Sequence, residues 1–111
     1  MKKLLLLPAL FIMITCKKDG IKKSTPDCVK LRIDEYTTSA PCDDAKVKEY
    51  LFQRKTVYVF EAGSCGADMT STVINEQCNV LGHLGGVTGN TEINGEDFSN
   101  AKYKGTTWEK K

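Results

Sequence analysis

The stretch Val47-Lys48-Glu49-Tyr50-Leu51-Phe52-Gln53-Arg54-Lys55-Thr56-Val57-Tyr58-Val59-Phe60 decides the fold. Two runs rich in Val, Tyr and Phe, 47–52 and 56–60, flank the polar Gln53-Arg54-Lys55. β-Branched and aromatic side chains suit a pleated, half-buried surface, and a short polar break between two such runs marks a hairpin. Downstream, residues 70–74 and 78–81 repeat the pattern in shorter form around Asn75-Glu76-Gln77, which predicts a second hairpin. A Gly-rich loop is expected over 82–95. The tail predicts a helical turn near 97–102 and then an edge strand ending at Trp108.

Upstream, Ser24-Thr25-Pro26-Asp27 reads as a helix start. Thr25 is a capping residue, Pro26 is tolerated in a first turn, and Asp27 favours the positive end of the helix dipole. Val29, Ile33 and Tyr36 recur at helical spacing with Cys28 and Leu31 beside them, and 37–41 ends the helix. The expected architecture is α+β: one N-terminal helix packed on a small antiparallel sheet. The chain has 111 residues, 41% of them hydrophobic and 27% charged. That length holds one domain and excludes a Rossmann-sized enzyme, a (β/α)₈ barrel or a solenoid. The composition excludes a wholly disordered chain.

The first residues carry a different signal. Met1-Lys2-Lys3 is a basic start, and residues 4–14 form an unbroken apolar run. Such a run is short of the roughly 20 residues of a membrane-spanning helix and has the length of a signal-peptide core. It ends in Met13-Ile14-Thr15-Cys16, which looks like a lipobox, in which the Cys sulfur takes a diacylglyceryl group and cleavage makes that Cys the new N-terminus. Thr15 stands where Gly or Ala is usual, and Met13 where Leu is usual. The expected organisation is a signal peptide over 1–15, a lipidated Cys16 with a basic tether over 16–26, and one domain over 27–111. The tether carries a net charge of +3 and the domain a net charge of −3. A mildly acidic domain is a poor nucleic-acid ligand, whereas the Lys-rich tether suits an anionic lipid surface.

Setting Cys16 aside leaves Cys28, Cys42, Cys65 and Cys78, an even set suited to an oxidising compartment. Four cysteines allow three pairings. The second hairpin favours Cys65 with Cys78, which leaves Cys28 with Cys42. A zinc site is disfavoured, because no two of these cysteines are close enough in sequence to share one tight turn. His83 is the sole histidine. No nucleophile elbow, phosphate loop or His-Glu-x-x-His motif accompanies it. Asp43-Asp44 and Asp68 are the nearest approach to paired carboxylates, and both sit in turn-forming contexts.

Gly89-Asn90-Thr91-Glu92-Ile93-Asn94-Gly95-Glu96-Asp97 places oxygens at alternate positions and Gly where a calcium loop needs it, but Ala101 stands where the closing Glu belongs. Asn94-Gly95 is also the commonest tight-turn pair. Loops on a stapled scaffold commonly carry binding. Gly85, Gly86, Asn90, Glu92, Asn94 and Asp97 are therefore the candidate binding residues.

Thr25-Pro26-Asp27-Cys28-Val29, 47–52, 57–60, Cys65-Gly66-Ala67-Asp68-Met69, Cys78-Asn79-Val80-Leu81-Gly82, 84–89 and Trp108 together carry a resemblance. On these residues the chain resembles a family of short Gram-negative bacterial lipoproteins with a single domain of unknown function. The resemblance implies an envelope lipoprotein and implies no activity and no cofactor. Cys16-Lys17-Lys18-Asp19 is partly similar to the Lys-plus-acidic signals that send some such proteins to the outer face. The expectation is a lipid-anchored, non-enzymatic binding or accessory module in the cell or outer membrane, facing periplasm or cell surface. Its partner would be a protein or an envelope glycan. The alternatives are a small hydrolase or metal-dependent enzyme using His83 with Asp68 or Asp97, and a calcium-binding module at 90–97.

Overall fold

A computed structural model describes residues 20–110. The expected signal peptide, Cys16 and residues 17–19 lie outside the described residues. The α+β expectation holds. One helix, α1 (Asp27–Ser39), precedes a five-stranded antiparallel sheet of β1 (Lys46–Phe52), β2 (Lys55–Glu61), β3 (Thr70–Asn75), β4 (Val80–Gly85) and β7 (Lys102–Glu109). The strand order is β4-β3-β2-β1-β7, which puts the last strand on the edge beside β1. Between β4 and β7 lie a two-stranded hairpin, β5 (Glu92–Ile93) and β6 (Glu96–Asp97), and a 3₁₀ turn at Phe98–Asn100.

The first hairpin turns on two residues rather than three. Lys55 pairs with Phe52, and Gln53 and Arg54 both take the left-handed conformation, with φ of 53° and 66°. This reversal matches the right-handed twist of the strands, though non-glycine residues occupy it at some cost. The second hairpin needs a wider turn. Asn75 Oδ1 accepts the N–H groups of Gln77 and Asn79, each at 2.9 Å, so Cys78 belongs to the turn and the strand starts at Val80. The expected Gly-rich loop over 82–95 is likewise corrected. β4 runs on to Gly85 because alternating Leu84 and Gly82 face a second apolar layer.

The helix covers one face of the sheet. Val29 and Ile33 are fully buried against Val47, Tyr58, Phe60, Ile74 and Trp108. Tyr36 meets Phe60 and Trp108 edge-on, with ring centroids 5.2 and 6.0 Å apart. Leu31 points outward instead of joining this stripe. Thr25 makes no side-chain cap, since Pro26 takes the cap position and the Thr25 side chain is buried. Ile21 also packs on this core, so the described part of the segment read as tether lies against the domain. At the other end, the Thr37, Thr38 and Ser39 hydroxyls donate back to the carbonyls of Asp34 and Glu35 in the preceding turn.

The opposite face is also covered. Phe52, Val57, Val59 and Val73 form its floor, and Ile93, 1% exposed, drops onto them from the β5–β6 hairpin. The segment from Gly86 to Ala101 is thus a lid with an apolar plug. The sheet is sandwiched between helix and lid.

The disulfides correct the expected pairing. They join Cys28 to Cys78 and Cys42 to Cys65, with Cα separations of 6.1 and 5.5 Å. The helix runs to Ser39, so about 16 Å of helix separates Cys28 at its start from the end beyond which Cys42 follows. A disulfide cannot span that distance. Each bridge instead ties one end of the helix to one end of the sheet.

Candidate functional site

The expected binding residues lie on the lid, and most of their polar groups are used to build it. Gly85 and Asn90 exchange backbone hydrogen bonds of 2.8 and 3.1 Å, closing a four-residue reversal over 86–89. Gly85 and Gly86 both have φ near +80°, and a β-carbon on Gly86 would press on Thr70 Cγ2 at 2.8 Å. The Asn90 side-chain amide donates to the carbonyls of His83 and Glu92 at 2.6 and 2.9 Å. It thereby occupies the His83 carbonyl on the edge strand β4, where a foreign strand could otherwise pair.

Asn94 and Gly95 form the tight turn between β5 and β6, both left-handed. This turn docks on the β1–β2 turn through Gln53. Gln53 Nε2 donates to Glu96 Oε1 at 3.0 Å and to the Asn94 carbonyl at 3.4 Å, while Asn94 Nδ2 donates to Gln53 Oε1. Asp97 Oδ1 accepts the Ser99 N–H at 2.8 Å and starts the 3₁₀ turn. The Ser99 backbone and hydroxyl bonds hold the Asp97 carboxyl below the ordinary carboxylate range. The oxygens that mimic a calcium loop therefore serve separate local turns. No group of three or more His, Cys, Asp or Glu residues converges as a metal site among the described residues.

The hydrolase constellation is not assembled either. His83 pairs with Thr72 on the helix side of the sheet, its Nδ1 3.2 Å from Thr72 Oγ1. Asp97 belongs to the lid on the other side. Asp68 is exposed in the bend between β2 and β3, with φ of 58°. Asp43 is exposed, and Asp44 is engaged by Ser64. Asp44 accepts the Ser64 backbone N–H at 3.0 Å and the Ser64 hydroxyl at 2.5 Å, and these bonds pull its carboxyl below the ordinary range. This clamp sits beside the Cys42–Cys65 bridge and fastens the loop after β2 to the loop after α1.

The lid borders a depression of mixed character. An open trough of about 420 Å³ is lined by Tyr50, Leu84, Phe98 and Ala101, with Thr91, Asp97 and Ser99 along its rim. Phe98 stands edge-on to Tyr50 at 5.1 Å and 4.8 Å from Phe52. Tyr50 in turn meets the exposed Tyr103 at 5.5 Å. Burial raises the Tyr50 hydroxyl above its ordinary pKa, so it stays protonated and able to donate. Sequence reading missed this aromatic row because Tyr50 and Phe98 are 48 residues apart and meet only across the lid.

A family model described as a domain of unknown function (DUF6970) matches residues 33–110. The chain belongs to the DUF6970 family. The DUF6970 match runs from the middle of α1 through β7, so it takes in both sides of the sandwich and the whole trough. It includes both partners of the Cys42–Cys65 bridge, whereas Cys28 lies before its start. No curated protein and no solved structure matches the chain.

Proposed function

We propose that this DUF6970 protein is a lipid-anchored binding module of the bacterial cell envelope whose lid-side trough takes a glycan chain. The observation that carries this reading is the aromatic row of Phe98, Tyr50 and Tyr103 beside a rim of short polar side chains. Ring faces and edges offer apolar surface to the C–H faces of sugars. Thr91, Ser99, Asp97 and the Tyr50 hydroxyl offer hydrogen bonds to their hydroxyl groups. A mostly apolar depression with a few placed polar groups is the usual make-up of a small-ligand site. The trough is open rather than enclosed, which suits a chain passing through it. The anchor rests on Met13-Ile14-Thr15-Cys16, and the paired cysteines suit an exported protein.

Co-sedimentation of the purified protein with insoluble peptidoglycan tests the reading. Phe98→Leu keeps an apolar side chain and removes the ring, so it should weaken binding about threefold to tenfold. Thermal melting of the variant checks that the lid still folds. A wild-type protein that stays in the supernatant, or a variant that binds equally well, overturns the glycan reading. Release of new reducing ends from the glycan would replace binding with the hydrolase reading.

A further inference from the structure

We infer that the β7 edge of the sheet is the side this protein presents to an anionic lipid surface. Charge is segregated along the chain. Residues 56–101 contain six acidic side chains and no Lys or Arg. β3, β4 and the whole lid come from that stretch. The strand order sets β3 and β4 at one end of the sheet and β7 at the other, while the lid lies over the sheet face. β7 carries Lys102 and Lys104, both exposed, with Glu109 as its one acid.

The chain enters along this same edge. The Lys22 backbone N–H donates to the Thr107 carbonyl at 3.1 Å, and Lys22 Nζ lies 3.0 Å from Glu49 Oε1. Lys22 is thus balanced locally, while Lys23 next to it is exposed. Gly20 abuts Trp108 at the end of β7. The inference rests on the anchored reading of Cys16. That residue precedes Gly20 by four positions, a reach of at most about 14 Å when fully extended. An acyl chain there keeps the β7 edge close to the bilayer, where Lys23, Lys102 and Lys104 meet lipid phosphates. β3 and β4 carry neither Lys nor Arg, so the β4 end offers the same surface no comparable attraction. The lid reversal, with Val87 85% exposed at its tip, then points outward.

The test uses the full-length gene product purified from membranes and reconstituted in vesicles of phosphatidylcholine alone or with phosphatidylglycerol. Lysine acetylation is mapped by mass spectrometry, with Lys55 as the internal reference. With phosphatidylglycerol, labelling of Lys23, Lys102 and Lys104 should fall about fivefold relative to Lys55 and recover in high salt. Unchanged labelling, or an equal fall on phosphatidylcholine alone, overturns the inference. Protection by soluble polyphosphate but not by anionic vesicles also overturns it, in favour of a soluble polyanion. A protein that fails to float with phosphatidylcholine vesicles refutes the anchor. The edge is then read from anionic vesicles alone, where protection supports the inference and its absence overturns it.

Discussion

The δ1 methyl of Ile93 lies 2.9 Å from the point where a side chain on Gly82 would begin. The lid closes only because position 82 has no side chain. Ile93 fills the second core from above, and β4 must pass beneath it with nothing but a hydrogen in the way. Gly82 looks like part of a flexible loop in sequence, yet it is a seat in a strand.

Gly82→Ala should therefore destabilise the protein by about 1–3 kcal/mol through overpacking. Ile93→Ala should cost about 2–5 kcal/mol through the cavity it leaves. The two should be markedly less than additive, because truncating the plug removes the overlap that the alanine creates. Urea unfolding of both single variants and the double variant measures this. Full additivity would show that the two positions do not touch.

The two bridges should differ in weight. Cys28–Cys78 spans 50 residues and Cys42–Cys65 spans 23. In the chain-entropy model these are worth roughly 4 and roughly 3 kcal/mol. Replacing both cysteines of a pair with Ser should cost more for Cys28 and Cys78, as read by melting temperature. A peptide map without reduction should yield a Cys28–Cys78 fragment and no Cys28–Cys42 fragment.

Thr107 is 1% exposed, and its hydroxyl has no hydrogen-bond partner among the described residues. It sits on β7 where the pairing with β1 slips by one residue, between the partners of Val47 and Lys48. A buried hydroxyl without a partner costs about 1–3 kcal/mol. Thr107→Val keeps the shape and removes that cost, so denaturant unfolding should show a gain of about 1 kcal/mol. A loss would mean that the hydroxyl is satisfied in solution.

Stability should fall at both ends of the pH scale. Tyr58 is buried beneath the helix, and its hydroxyl is pushed up to about 12, chiefly by desolvation and then by Glu49 and Glu76. A raised value means the folded state favours the neutral phenol. Its contribution is intact below the ordinary value of 10.0 and drains away as pH rises toward about 12. Ultraviolet titration should show Tyr58 ionising last, with alkaline unfolding, and Tyr58→Phe should remove that late step. Asp44 behaves oppositely. Its carboxyl is lowered by Ser64, so its contribution is present above the ordinary carboxylate range and is lost as pH falls below it. Asp44→Asn should flatten the acid limb of a melting-temperature profile.

Local chemistry was enough to read the main elements. Val47, Tyr58 and Phe60 announce a pleated surface whatever surrounds them, and Val29 with Ile33 announces a helix face, because periodicity belongs to the chain itself. The Asn94-Gly95 turn is equally local. The even set of four cysteines already pointed to two bridges. Which cysteines pair depended on the helix running on to Ser39, since that length alone separates Cys28 from Cys42. The lid depended on Ile93 finding a gap at Gly82, and the trough on Tyr50 meeting Phe98 across it. Spacing along the chain encodes which residues share a face. Which faces meet is set by burying both sides of the sheet at once, and that packing exists only in the folded molecule.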